Sequence, residues 1–323
     1  MVDLTAVLGH VSPMAKRKKG NLVNGWVIFD KPYGMGSTQA VSFVRRVLNA
    51  QKAGHGGTLD PLADGVLPIA LGEATKTLPY ILDADKTYIF TLSFGVQTTT
   101  GDTEGEAVKH SDHRPTEADV KAIIPVFTGP ITQVPPAYSA IKINGKAAYA
   151  RVRAGEEVTI PAREVTIYSL KLLSWSVDAP TFEAKVSKGT YIRSLGQDIA
   201  AALGTCGYLS ALRRTQAGPF EQKQAVTKEK LEKAVQSGHI PQTVLRNTDM
   251  ALVDIPAHTA TDEDTQALKA GRLPDWPQLA AGTYRVYGPG GDLVSLVDIR
   301  ADTDGTKRIL RNFNLDITDI AKE

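Results

Sequence analysis

The eleven residues His55-Gly56-Gly57-Thr58-Leu59-Asp60-Pro61-Leu62-Ala63-Asp64-Gly65 constrain this chain more than any other stretch. They set a carboxylate on a glycine-rich bend, just ahead of the apolar run Val66 to Leu71. Glycines at 54, 56 and 57 let the backbone take positive φ and approach a ligand closely, at an entropic cost. Pro61 fixes its own φ and biases Asp60 toward extended geometry. Thr58 can hydrogen-bond locally, and Leu59 and Leu62 can anchor the bend in a core. Two readings follow: a turn whose Asp caps a helix, or an acid held stiffly for reaction. The length of the constrained run favours the second.

A chain of 323 residues is long enough for two domains and a substantial core. Its 42% apolar and 22% charged residues are those of an ordinary globular protein. No apolar run reaches the roughly 18 residues of a membrane span. The mildly apolar Met1 to Met14 precedes the basic run Lys16-Arg17-Lys18-Lys19, the reverse of a secretory signal. Met14 is a second possible start, which would make the residues before it an extension. Cys206 is the sole cysteine, so an internal disulfide and a cysteine metal cage are excluded, and it reads as a small buried residue. The six histidines show no metal-ligand spacing. The expectation is a cytoplasmic protein without metal or membrane contact.

A formal net charge of +2 does not announce nucleic-acid binding, so any RNA affinity must come from local patches. Lys142, Lys146, Arg151 and Arg153 form one, with Tyr138 and Tyr149 interleaved. Lys185, Lys188 and Arg193 form a second, and Arg213 with Arg214 a third. Each could equally be a solvated face.

Residues 1–24 read as a mobile basic tail. Trp26 to Phe29 is a short strand, and Ser37 caps a helix with Val41, Val44, Val47 and Leu48 on one face. Thr87 to Phe94 alternates, with Tyr88, Phe90, Leu92 and Phe94 on one side. Gln97 to Ala107 is polar, acidic and glycine-rich, which predicts an exposed loop. Thr116 to Asp119 opens a helix with a capping-box pattern. Val165 to Trp175 and Phe182 to Ser187 are strands, and Ile192 to Leu203 is a helix closed by Gly204. The irregular mixture predicts an α+β fold with a mixed, mostly antiparallel sheet flanked by helices. A catalytic domain over 25–249 precedes a small β-rich domain at 250–323, with strands around Leu252, Thr283 to Tyr287, Leu293 to Ile299 and Lys307 to Arg311.

The His55 to Gly65 stretch resembles the catalytic motif of the TruB family, the tRNA pseudouridine-55 synthases. The resemblance continues, in the family's order, through Lys86-Thr87-Tyr88, Pro135 to Ala140, Gly189 to Leu195 and Leu212 to Thr215. Several ordered motifs are far more specific than one. The family's fold and chemistry are implied: uridine-55 in the T-arm loop of tRNA would be isomerised to pseudouridine without any cofactor. Asp60 would be the catalytic carboxylate, and Arg193 its partner, orienting it and favouring its charged form. Tyr88 would stack on the base and is a candidate proton acceptor at C5. Tyr191 and Leu212 would line the uracil pocket, and His55 would support the everted nucleotide. Lys31 and Lys76 match positions near the site, for phosphate or structural support. The pair Gly56-Gly57 departs mildly from many relatives, which carry a hydroxyl or other side chain at one of the two positions. The C-terminal domain would be PUA-like, binding RNA or capping the structure.

Asp60 could attack C1′ of the ribose, remove a ribose proton, or attack C6 of the base; all three routes need it close to the substrate. The target uridine must leave the stack, because a stem-loop hides its reactive atoms. A monomer acting without an obligate protein partner is the expected form. A subunit of a guide-RNA particle, an RNA-folding factor and a glycoside-cleaving enzyme are the competing readings.

Overall fold

The strand Gly25–Lys31, buried along nearly its whole length, pairs antiparallel with Asp64–Leu71, so the bend carrying Asp60 leads directly into the interior of a sheet. The structure, a computed structural model, describes residues 20–139, 141–143, 145–238, 240–299 and 308–315. Met14, the basic run to Lys19 and Lys307 lie outside them.

The main sheet has nine strands, seven of them in the spatial order Gly25–Lys31, Asp64–Leu71, Gly207–Ala217, Lys86–Phe94, Thr181–Val186, Arg163–Ser174, Gly129–Gln133. One neighbouring pair is parallel, Asp64–Leu71 with Gly207–Ala217, matched at Asp64 with Arg213 and Gly65 with Arg214. All other pairs in this sheet are antiparallel. The expected α+β sheet is thus what forms.

Two apolar clusters cover one face. Val27, Phe29, Leu67, Ile69 and Leu71 pack with helix Ser37–Val47, and Phe90, Leu92, Phe182 and Ala184 pack with helix Ile192–Ala202. Tyr88 and Leu212 touch both clusters. They therefore sit at the gap between the two cores, above the parallel pair. The alternation predicted for Tyr88, Phe90, Leu92 and Phe94 is the face that packs.

Several expectations shift. Helix Ser37–Val47 buries Ala40, Phe43 and Val44, while Val41 and Val47 are only partly covered. Its N-cap is Gly36, and Ser37 caps nothing. The 97–107 stretch is not simply exposed: Thr98, Thr100 and Gly101 are buried, and Asp102 is half-buried. Thr98 Oγ1 and Thr100 Oγ1 both donate to Asp102, to its carbonyl and carboxylate respectively, and fold the loop inward.

A second sheet runs in the order Ala257–Thr259, Gly282–Tyr287, Leu293–Ile299, Arg308–Asn312. Leu252 lies in a 3-10 turn, Thr248–Leu252, and not in a strand. Helix Asp262–Lys269, which the strand pattern does not suggest, is capped by Thr261, whose hydroxyl accepts from Asp264 N at 3.1 Å, and buries Leu268. Leu252, Leu293, Leu296 and Phe313 join this sheet to Tyr80 of the catalytic region, and Tyr287 donates to Asp249 at 2.6 Å.

Candidate active site

The loop around Asp60 is fixed from three directions. Leu59 is buried, and Ser37 Oγ accepts from its N–H at 2.8 Å while donating to its carbonyl at 2.7 Å. Lys31 Nζ, fully buried, donates to the carbonyls of Met35 (2.6 Å), Pro32 (3.2 Å) and Pro61 (3.4 Å). Arg214, also buried, gives Nε to Val66 O (2.7 Å), Nη1 to Thr58 O (3.2 Å) and Nη2 to Gly57 O (3.1 Å). Charged donors meeting carbonyls make the stronger class of hydrogen bond. The loop is held through its backbone, which leaves the Asp60 side chain free to face the cavity.

Two glycines are required by close approach. A Cβ at Gly65, where φ is +99°, would stand 2.3 Å from Arg214 O, across the parallel pair. A Cβ at Gly56 would stand 2.6 Å from Ile81 Cγ2. At Gly56 the branched Ile81 occupies the space a side chain would need, whereas a Cβ at Gly57 would meet nothing nearer than 3.8 Å.

Asp60 Oδ2 lies 2.9 Å from Arg193 Nε. Arg193 is 5% exposed and commits Nη1 to Thr100 O (2.8 Å) and Nη2 to Tyr138 O (2.9 Å). Nε faces Asp60 as an ion contact, without hydrogen-bond alignment. Asp102 Oδ2 stands 3.7 Å away on the same nitrogen. A buried guanidinium is tolerated only with such partners, and removing one typically costs about 3–5 kcal/mol. The arginine is positioned by its helix: Tyr191 begins helix Ile192–Ala202, and its backbone is gripped at both ends by buried Gln133, N–H to Oε1 at 2.8 Å and Nε2 to O at 3.1 Å.

Asp60, Tyr88, Tyr191, Arg193 and Leu212 all line one cleft of about 250 Å³. The cleft is near the lower end of small-ligand sites, which run from ~300 Å³ upward. Asp60 is its only acidic lining residue among those described. Three expected site residues are elsewhere. Lys76 pairs with Glu73 at 2.5 Å and donates to Asn312 O at 2.8 Å, so it joins the catalytic region to the second sheet. Lys31 is enclosed below the loop, which leaves structural support and removes phosphate contact. His55 lies on the short strand Ala53–His55 outside the cleft lining, half-buried, with Nδ1 lacking a partner. Burial, then the charge of Arg214, pushes its pKa down and favours the neutral ring.

Sequence reasoning missed Lys86 and Arg214 as parts of the site. Lys86 Nζ donates to the carbonyls of Ile81 (2.9 Å), Leu82 (2.7 Å) and Ala84 (2.6 Å), and the side chain lines the cleft. Burial pushes its pKa down to about 8, Arg214 adding to the effect; Lys31 is likewise pushed down to about 8 by burial. A signal existed. Lys86 is two residues before Tyr88 and Arg214 two after Leu212, so strand periodicity puts both cations on the cleft face. Asp102 was also missed, its loop having the composition of a solvent-exposed one. Arg213, on the other face, is engaged with Asp30 (3.0 Å) and Asp64 (3.1 Å). Among the described residues no three His, Cys, Asp or Glu cluster as metal ligands, and no helix is long and apolar enough to cross a membrane.

One carboxylate facing a nucleoside-sized cleft beside two tyrosines suits covalent or proton-transfer chemistry on a sugar or base. Glycoside hydrolysis normally takes two carboxylates flanking the bond. Asp102, 3.7 Å from Arg193 Nε, does not line the cleft, and the pocket it shares with Asp60 is only about 10 Å³. The fold defines the class first. An archaeal box H/ACA sRNP Nop10–Cbf5 complex matches with a TM-score of 0.66 at 25% identity, over 88% of this chain and 81% of that chain. A Cbf5–Nop10–Gar1 complex matches at 0.67 and 26%, over 89% and 83%. The architecture is that of Cbf5- and TruB-type pseudouridine synthases.

Residues 45–192 match the TruB family pseudouridylate synthase N-terminal domain, and 193–253 the tRNA pseudouridylate synthase B C-terminal domain. A protein of Caulobacter vibrioides named tRNA pseudouridine synthase B is 48% identical over 299 residues, 89% of this chain and 96% of that protein. One of the same name from Zymomonas mobilis is 51% identical over 255 residues, 77% and 84%. The chain belongs to the TruB family of pseudouridylate synthases and is an isomerase.

Proposed function

We propose that this isomerase acts on tRNA, converting uridine-55 of the T-arm loop to pseudouridine, with Asp60 as the catalytic carboxylate. The carrying observation is that Asp60 is, among the described residues, the one acidic side chain lining the cleft, and it touches Arg193 at 2.9 Å. In the reaction the C1′–N1 bond breaks, the base turns, and C1′ joins C5. The C5 proton passes to an acceptor and N1 gains one, so mass and redox state are unchanged. Asp60 serves in any of the three routes open to it. Tyr88 and Leu212 at the cleft floor suit the faces of a base, and Tyr88 is the candidate acceptor at C5. The relatives named tRNA pseudouridine synthase B favour tRNA as substrate over a guide-RNA duplex. The enzyme is read as a cytoplasmic monomer working alone, with a catalytic domain to residue 249 and a PUA-like module from 250.

Purified chain mixed with unmodified tRNA, without guide RNA or other proteins, is expected to yield pseudouridine at position 55 only. Asp60→Asn should lower turnover at least about a hundredfold while leaving tRNA binding largely intact. Normal turnover by the variant, or no product from the wild type alone, would overturn the reading.

A further inference from the structure

Among the described residues four cations line the cleft, and three of them are buried against backbone carbonyls. Lys86 gives its ammonium to three carbonyls. Arg214 gives Nε, Nη1 and Nη2 to three more. Arg193 divides its nitrogens between two carbonyls and Asp60. At the rim, Lys188 is paired with Asp83 at 2.9 Å. Lys86 has no N–H left over, and Arg193 and Arg214, 5% and 1% exposed, are enclosed among the carbonyls they hold.

Arg163 is different. It stands at the start of strand Arg163–Ser174 and lines the cleft beside Gly189 and Tyr191. Its Nη2 donates to Gly189 O, and its Cζ lies 5.0 Å from the centroid of the Tyr191 ring. The guanidinium is therefore seated by a carbonyl and an aromatic face, an arrangement that fixes its plane. Nε is buried without a hydrogen-bond partner, and no described residue forms an ion pair with this arginine or accepts from Nη1. A held, charged fork with unused donors at a cleft wall matches the geometry of a phosphate oxygen.

We infer that Arg163 is the substrate-phosphate ligand of the cleft, binding a phosphodiester next to the everted uridine and so fixing that nucleotide against Tyr191. This rests on the RNA-isomerase reading above. Its contribution belongs to binding, because Asp60 is engaged by Arg193 and its loop by Lys31 and Arg214, whereas Arg163 is seated on Gly189 and Tyr191.

The test combines a protein change with an RNA change. Arg163→Gln is expected to raise the Kd for tRNA roughly tenfold and reduce the slope of log K against log salt by about 0.7, the value for one single-strand phosphate contact. Arg163→Lys, which keeps the charge, should retain the slope. A methylphosphonate placed in turn at the phosphates flanking uridine-55 should weaken wild-type binding at one position, with no further loss in Arg163→Gln. An unchanged salt slope in folded Arg163→Gln, or equal methylphosphonate losses in both proteins, would overturn the assignment. Should Arg163→Gln fail to fold, the wild-type methylphosphonate scan decides alone: no sensitive position sinks the assignment. Pseudouridine from the wild type in the same assays keeps the isomerase reading standing even when Arg163 fails, whereas no product sinks that reading.

Discussion

Beneath Asp60 and along residues 142–153 the chain uses the same two residue types, lysine and arginine, for opposite purposes. Below the loop, Lys31, Lys86 and Arg214 are buried and directed at backbone carbonyls. In the outer segment, Lys142 and Lys146 project from a two-stranded hairpin into solvent, without an ion pair to any described residue. Arg151 and Arg153 there pair with Glu156 (2.6 Å) and Glu104 (3.7 Å), and Tyr149 is 43% exposed under Arg153. A buried cation pays heavy desolvation, so it survives only where its donors shape something that must not move. An exposed one keeps its hydration and stays available to a polyanion. The difference separates the residues that hold the catalytic geometry from those that can attract RNA, although both groups look alike as runs of basic letters.

The largest effect should follow from breaking the inner group. Arg214→Met removes the donors of Gly57, Thr58 and Val66 carbonyls at once. Each buried acceptor left unpaired costs about 1–3 kcal/mol, with water relieving part, so a stability loss of about 2–5 kcal/mol is expected in chemical denaturation. A displacement of Asp60 by about 1 Å lowers turnover on the order of a hundredfold. Near-normal turnover in a folded Arg214→Met protein would show that the loop keeps its shape without the clamp.

The contrast also sets how much could be read beforehand. Asp60, Tyr88, Tyr191, Arg193 and Leu212 were legible because the family's motifs carry them, strand alternation adding support at Tyr88, and all five line the cleft. Lys86 and Arg214 followed the same alternation, but basic residues beside apolar ones read as surface until the carbonyls they satisfy are known. Asp102 was illegible for a related reason. The 97–107 stretch has loop composition, and its inward turn rests on the Thr98 and Thr100 bonds to Asp102 together with the tertiary approach of Arg193. Lys76 erred the other way, since its partner Asn312 is 236 positions distant in sequence. Helix Asp262–Lys269 had a local signal, the Thr261 cap and a run of acids, that the surrounding turn-rich sequence obscured.

A middle-sized effect concerns pH. Lys86 has a folded pKa near 8 against an ordinary 10.5. Its folded value is lowered, so the burial penalty is fully present below pH 8. Between about pH 8 and 10.5 the unfolded chain binds more protons at this residue, and stability from this site rises with pH. Comparing wild type with Lys86→Met by denaturation at pH 7 and pH 9.5, the gap should move in favour of the wild type by about 1–2 kcal/mol. Removing the lysine eliminates the titration, whereas Asp83, Asp85, Lys188 and Arg214, which face it, remain in both proteins. A constant gap would mean that the three carbonyls hold the ammonium as firmly as water does.

The smallest effect on stability should come from the outer group, and that smallness is the informative part. Lys142→Gln with Lys146→Gln removes two exposed charges that support no described ion pair to a carboxylate. The change in unfolding free energy is expected within about 0.5 kcal/mol, the usual range for surface substitutions. Affinity for tRNA should nevertheless fall several-fold, and the salt slope by about one unit for each phosphate that the lysines no longer neutralise. Turnover of bound substrate should stay near the wild-type value, since neither lysine lines the cleft. A drop in turnover with unchanged affinity would place these lysines with the inner group and erase the distinction between the two regions.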